Sequence, residues 1–541
     1  MAQVNLNQDD PGRIEEQIPP PSVPPPPADI QIPDPDAPVT PPPGSEDETF
    51  ELKAVKIEGV TVYRPEDLAP FYRDRLNQPV SLRDLYAIAQ AITERYQQDG
   101  YLLSLAIVPE QTIRDGEVTL QVVEGYVASV EFEEAPKHLR DRLNQFGHKI
   151  TSLRPLNVNK MERTLLLAND LAGVEIKSIL KRGEQLGTAI LLARVLYDSF
   201  DPFGELTNRG SDEVGPLRLQ VGTHLNSLLG QGERITLRGV ITPADPLELA
   251  LGSLDVTVPV GTEGLQLEFG GSYTEVNPGG VLERFDINGR TFALETGLSY
   301  PVIRSRTFNV AVQGGFDYAG TRNISDLLAQ PTVLNQDRLA VLRAGVEFDR
   351  LDASGRWAGG AELSQGIAGT TPGNAMDPLS RAQGSAVFTK ANVNLERLQQ
   401  LPAQFYGLLQ ARAQITGDAL LVREQFGLGG APFGSGFDPS ELLGDYGYGL
   451  RAELQRPLQY QGFGRVQSTT PYLFADHGQI FRNFRLATEN SSDSLTSAGL
   501  GVRHFFGNEL NLTVEVAFPL DRTDQPTNDD PRLFFSLTGI F

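Results

Sequence analysis

The sequence predicts a mostly β protein in which a closed, sixteen-stranded transmembrane β-barrel follows two small α+β units and a proline-rich lead segment. Three observations carry this. Between residues 198 and 541 apolar and polar residues alternate in segment after segment, while helical spacing nearly vanishes. Residues 50 to 197 hold one order of elements twice: strand, short helix, long helix and two closing strands. Thirteen prolines crowd into residues 18 to 44 and separate these regions from the start of the chain.

Composition narrows the function classes. At 541 residues the chain is too long for one ordinary core, so several domains are expected. A formal charge of -23 without clustered Lys and Arg argues against a nucleic-acid partner. The absence of cysteine removes disulfides, zinc-thiolate sites and thiol nucleophiles together. No run of eighteen apolar residues offers a membrane helix, and Met1 to Asn5 shows no signal peptide, so export is either unused or its leader has been removed.

Residues 1–49 read as an N-terminal segment and disordered linker. Asp9 to Gln17 has room for two turns of helix, a docking or plugging element. The tract behind it, with Pro24 to Pro27 and Pro41 to Pro43, is expected to form neither helix nor sheet and to sample polyproline II. At about 3 Å per residue it would reach on the order of 80 Å.

The first unit, residues 50–125, opens with a strand at Leu52 to Ile57 and a short helix at Pro65 to Tyr72. Its long helix, Ser81 to Asp99, is justified residue by residue. Ser81 and Asp84 have capping-box spacing, Leu82, Leu85, Ala89, Ile92 and Tyr96 share a face, and Gly100 supplies the stop. Leu102 to Val108 then reads as a strand, Asp115-Gly116 as a turn, and Val118, Leu120 and Val122 as one face of the next strand. The second unit, residues 126–197, repeats the order with a strand at Val127 to Phe132 and helices at Lys137 to Phe146 and Asn157 to Ala172. Strands at Val174 to Leu180 and Ala189 to Tyr197 close it.

Residues 198–541 contain sixteen alternating segments, near Gly204, Leu217, Ile235, Leu247, Leu265, Thr291, Thr307, Leu339, Trp357, Val387, Phe405, Gly447, Thr469, Leu495, Leu510 and Leu533. A soluble antiparallel sheet could alternate in the same way. The membrane is favoured because Arg218, Glu268, Arg451, Glu453, Arg503 and Glu515 all fall on the polar phase, as a wet lumen requires. Segments of about ten residues suit a tilted crossing, and unpaired edges are too costly in hydrocarbon, so the strands must close.

The joint order of the repeated βααββ unit resembles POTRA domains, the polypeptide-binding modules of outer-membrane assembly and secretion proteins. The resemblance rests on Gly100-Tyr101, Pro109-Glu110-Gln111, Asp115-Gly116 and Val123-Glu124-Gly125, and in the second copy on Asn169-Asp170-Leu171 and Gly173-Val174. With Asn208-Arg209-Gly210-Ser211, Gly215-Pro216 and Leu228 to Glu233 at the opening of the barrel, residues 50 to 541 resemble a two-partner secretion transporter of the haemolysin secretion and activation type. The terminal Phe541, closing an alternating strand, resembles the assembly signal of bacterial outer-membrane barrels.

The resemblance implies a translocator in the bacterial outer membrane, with its modules in the periplasm. It would receive an unfolded exoprotein and export it through the barrel without ATP. Its partners would be that exoprotein, outer-membrane lipid and the barrel assembly machinery that inserts it. The expected polypeptide-binding groove lies along Leu102, Leu103, Ser104, Leu105, Ala106, Ile107 and Val108, and along Val174, Glu175, Ile176 and Lys177. An assembly insertase and a passive solute pore are the alternatives.

In this family a long loop between barrel strands eleven and twelve folds into the lumen and carries a Val-Arg-Gly-Tyr type tetrapeptide. Here that loop spans about residues 426–446, and the tetrapeptide position reads Gly434, Ser435, Gly436 and Phe437. The arginine is missing. Its usual partner, an aspartate in an F-x-x-D-x-G site, corresponds to Asp476, with Leu473 and Gly478. The loop is therefore expected to lie inward without the usual ionic latch, leaving Asp476 hydrated, protonated or paired with Arg451 or Arg503.

No enzyme is indicated. His138, His148, His224, His477 and His504 are scattered without metal-ligand spacing, and no nucleophile elbow, P-loop or dinucleotide fingerprint occurs, so no catalytic residue, metal or cofactor is expected.

Overall fold

Two-residue alternation becomes a closed antiparallel barrel in the computed structural model, which describes residues 9–18, 29–31, 41–42, 45–46, 49–243, 248–328, 330–462, 465–485, 489–507, 509–521 and 530–541. The barrel strands are β1 (Phe200–Thr207), β2 (Arg218–Asn226), β3 (Arg234–Ile241), β4 (Leu249–Val260), β5 (Leu265–Val276), β6 (Ile287–Arg304), β7 (Phe308–Ser325) and β8 (Thr332–Asp352). They continue with β9 (Gly355–Gly369), β10 (Phe388–Gln400), β11 (Tyr406–Thr416), β12 (Tyr446–Gln455, extended by Leu458–Gly462), β13 (Arg465–Phe481), β14 (Ser492–Phe506), β15 (Leu510–Pro519) and β16 (Arg532–Ile540). Each pairs with its sequence neighbours, and β1 meets β16 from Phe203↔Ile540 to Thr207↔Ser536. The predicted segment near Leu247 begins at Leu249, Leu247 itself lying outside the described residues.

The alternation has the direction that a bilayer demands. On β15, Val514 and Phe518 face outward and are exposed, whereas Glu515 points inward and is buried. On β13, Leu473 is exposed between buried Tyr472 and Phe474. Phe541 follows β16 and donates its N–H to Pro202 O at 2.9 Å, tying the chain end to β1.

In the first module, Ala54–Glu58, Glu117–Val123 and Leu105–Ile107 form a sheet in that order, against the helix Leu82–Gln98. Ser81 and Asp84 make both bonds of the capping box, and Leu85, Ala89, Ile92 and Tyr96 are buried. Burying each large side chain contributes about 1.5–3 kcal/mol. The expected strand Leu102–Val108 shortens to Leu105–Ile107 because Ser104 Oγ accepts the Gly125 N–H at 3.1 Å, while Leu103 packs into the core of the second module.

The second module's sheet runs Asp29–Gln31, Val174–Arg182, Thr188–Tyr197, Tyr126–Glu133. Helices Arg140–Thr151 and Val158–Asn169 cover it. The first outruns the expected end at Phe146, since Ile150 continues the buried stripe of Leu143 and Phe146. The Asp29–Gln31 strand corrects the reading of the proline tract as free of sheet: Ala28 to Ile32 is a proline-free run within it.

The modules and the barrel are joined by specific bonds. Asn157, the N-cap of the helix Val158–Asn169, donates to Asp99 O at 3.2 Å, and Val158 N donates to Gly100 O at 2.9 Å. Arg304 on β6 donates to both oxygens of Asp170 at 2.6 and 2.8 Å, and Arg142 reaches Gly261 O at 2.6 Å. The second module therefore sits against one end of the barrel, at the β4–β5 and β6–β7 turns.

Candidate functional site in the lumen

The segment between β11 and β12 turns back into the barrel because its apolar residues find a wall that is apolar where they meet it. A turn at Val422–Glu424 leads into Phe426–Leu428, which pairs with Leu442–Gly444. Phe426, Leu428 and Phe437 are buried against Ile480 of β13 and Leu495 of β14. Gly478 makes this possible, since a Cβ there would lie 2.6 Å from a Leu428 methyl carbon.

The tip places Gly434, Ser435, Gly436 and Phe437 beside β13. Gly434 has φ +100°, a conformation that only glycine adopts readily, and its N–H donates to Asp476 Oδ1 at 2.9 Å. Ser435 N donates to the same carboxylate at 3.3 Å, and Ser497 Oγ donates as well. Arg451, directly opposite Asp476 across the β12–β13 ladder, donates to Ser435 Oγ at 2.7 Å and lies 3.4 Å from Asp476 Oδ2. Asp476 is thus held by two backbone N–H groups of the loop and by an arginine of the wall. The loop supplies no ionic latch of its own, and of the states expected for Asp476 the structure shows pairing with a wall arginine, Arg451 of β12.

Arg451 is itself part of a buried network. It pairs with Glu453 at 3.2 Å and Glu515 at 3.3 Å, and its guanidinium stacks 3.9 Å above the Phe474 ring. Arg503 pairs with Glu453 rather than Asp476, while Arg209 and Tyr472 bond Glu515 at 3.0 and 2.8 Å. Every carboxylate of the network has a cation partner, the condition under which buried charge is tolerable.

The model of the haemolysin secretion/activation protein family ShlB/FhaC/HecB matches residues 188–504, and that of the ShlB-type POTRA domain matches residues 50–125. The chain belongs to this family, as a two-partner secretion transporter of the outer membrane. The heme/hemopexin transporter protein HuxB of Haemophilus influenzae is 23% identical over 466 residues, covering 84% of this chain and 81% of the relative. The outer membrane transporter CdiB of Escherichia coli is 24% identical over 437 residues, covering 77% and 70%. The solved structure of CdiB from Escherichia coli superposes with a TM-score of 0.75 at 18% identity, covering 93% of both chains, a likeness of fold.

The transporter's lumen also holds a helix, Pro11–Gln17, which packs on β5, β6, β7 and the Val422–Glu424 turn. Asp10 caps it by accepting the Gly12 N–H, and Asn323 of β7 donates to Asp10 at 3.1 Å. Ile14 and Ile18 are buried against inward-facing Val240, Leu251 and Val276. Arg238 donates to Ile18 O at 2.7 Å and Ser272 to Glu15 at 2.8 Å. The sequence carried a signal for this contact: Leu249 and Leu251 of β4 are apolar on the lumen phase, where a wet wall would be polar.

The module edges chosen from sequence are unequal. Leu105–Ile107 is an edge strand, with Leu105 and Ile107 partly exposed, but the Ala106 N–H already donates to Thr93 Oγ1 of the neighbouring helix at 2.9 Å. Leu102 and Val108 lie outside the strand. In the second module Val174 and Ile176 are core residues, and Glu175 pairs with Lys177 at 3.1 Å. Its edge is covered by the transporter's own Asp29–Gln31 in parallel register, Asp29↔Lys177, Ile30↔Ser178 and Gln31↔Ile179. Among the described residues no group of His, Cys, Asp and Glu could hold a metal ion.

Proposed function

We propose that this outer-membrane transporter takes up an unfolded exoprotein on the periplasmic side through its two modules and passes it outward through the barrel. In this reading the helix Pro11–Gln17 is the resting plug and the inward loop a gate. One observation carries the reading: the Val174–Arg182 edge, in the module bonded to the barrel end, already pairs with an extended stretch of chain. An edge that accepts Asp29–Gln31 through backbone bonds can accept an exoprotein segment in the same way, with little demand on its sequence. Asp29–Gln31 is then a resting occupant that cargo displaces. The energy for outward movement comes from folding of the exported chain outside rather than from nucleotide hydrolysis.

The test is co-expression with a candidate exoprotein that the transporter exports, using a photo-crosslinking residue at Ile179 on this edge and another at Glu131 in the opposite edge strand. Crosslinks to the exported chain at Ile179 and not at Glu131 are expected. Export that persists with residues 50–197 deleted and the barrel intact would reject the proposal.

A further inference from the structure

The plug bonds the stem of the loop as well as the barrel wall. Arg13 is buried and donates from Nη1 to Val422 O and to Gln425 O, both at 2.8 Å. In return Arg423 donates to Gly12 O at 2.9 Å. The fit is close: a Cβ at Gly427 would lie 2.7 Å from Arg13 Nη2. The turn Val422–Glu424 and the residue after it, at the stem of the loop, are therefore the loop's part of the seat that holds the plug.

Beyond its own Glu424 N–H to Leu421 O and Gln425 N–H to Val422 O bonds, that turn is held by the wall. Glu424, buried, pairs with Lys390 of β10 at 2.7 Å and with Arg343 of β8 at 3.0 Å. Lys390 also donates to Glu424 O at 3.1 Å, and Gln414 of β11 donates to the same carbonyl at 3.0 Å. The carbonyls of Val422 and Gln425 flank Glu424, so an anchor at Glu424 fixes the direction in which both face the plug. The contacts at Asp476 lie at the other end of the loop and do not touch Arg13.

We infer that Glu424, seated by Lys390 and Arg343, is the positioning residue that keeps the lumen plug in place, so that loosening the loop stem releases the plug even when the loop tip stays latched at Asp476. The inference rests on the plug reading given above. Its readout is conductance, whereas that reading is tested by export, so the two can fail separately.

The experiment uses the full-length protein in planar bilayers, with barrel folding checked by heat-dependent gel mobility. Glu424→Gln and Lys390→Met are expected to raise the open frequency at rest about tenfold or more, as losing charge-assisted bonds to a buried group implies. Lys390→Arg should stay near wild type. Arg13→Ala should open the channel too, and combining it with Glu424→Gln should add little, because both act through one contact. Asp352→Asn, which removes a bridge to Arg397, is the control and should stay closed. Amide exchange at Gly12 to Ile14 supplies a second measurement, rising in Glu424→Gln but not in the control. The inference is overturned if Glu424→Gln folds, stays closed and keeps those amides protected, or if its effect multiplies fully with that of Arg13→Ala.

Discussion

Arg451 and Asp476 face each other directly across β12 and β13, with Arg451 Nη1 3.4 Å from Asp476 Oδ2 and 2.7 Å from Ser435 Oγ. The cation that the resemblance leads one to expect on the loop stands here on the wall, and a serine at the loop tip accepts its hydrogen bond. The tip is therefore held by backbone and hydroxyl groups converging on one wall pair, rather than by a long side chain reaching outward.

Arg451→Ala should loosen the tip and destabilise the barrel. Glu453 keeps Arg503 and Glu515 keeps Arg209, so the loss falls on Asp476. Breaking a buried pair on one side costs about 3–5 kcal/mol. A lower temperature for the heat-dependent gel shift, together with new protease cleavage between Gly429 and Pro439, is the expected result.

Ser435→Arg should be harmful alone and tolerated when Arg451 is removed. The single variant puts two guanidinium groups at one carboxylate, while Ser435→Arg with Arg451→Ser exchanges their origins. Export by the double variant is expected to exceed that by Ser435→Arg, and a purely additive pair would count against a shared latch.

Ile30→Pro should free the edge of the second module by breaking its register with Ser178. Because a resting occupant lowers apparent affinity, binding of an exoprotein fragment should tighten by about twofold to tenfold. Fluorescence titration of the full-length protein checks this, and an unchanged affinity argues against competition.

Asp84 predicts a pH dependence for the first module. The Ser81 backbone N–H, with the Ser81 hydroxyl and Arg75, holds its carboxyl below the usual carboxylate range. The ionised group stabilises the cap above its unfolded titration range, and this contribution is lost as the pH falls through the lower folded value. Asp84→Asn should therefore cost about 1 kcal/mol at neutral pH and nearly nothing in strong acid. Amide exchange along Leu82–Gln98 at the two pH values measures the difference.

Much of the fold was legible because alternation and capping are local. Ser81 with Asp84 marked one helix, and the apolar phase of Val514, Val516 and Phe518 marked an outward face. The inward loop was implied by the family resemblance, and counting strands located it in this sequence. The origin of its cation did not follow from either, since Arg451 meets Ser435 only once β12 and β13 are in register, a pairing that local spacing does not encode. Arg13, Glu424 and Lys390 were hidden for the same reason, as they come from regions far apart in the chain. The proline tract misled because its density concealed the five residues from Ala28 to Ile32.

The strand Asp29–Gln31 also sets a distance. Only ten residues, eleven Cα-to-Cα steps, carry the chain from Ile18, at the end of the lumen helix, to Asp29 on the second module. At full extension they reach about 40 Å. While Asp29–Gln31 stays paired, the helix is on a leash of that length, pegged to the module that would receive cargo. Peeling the strand away lengthens the leash into the rest of the proline tract. If cargo displaces Asp29–Gln31 as proposed, arrival of a substrate at the edge and the freedom of the helix to travel would be two effects of the same displaced segment, in the order cargo first, open lumen second.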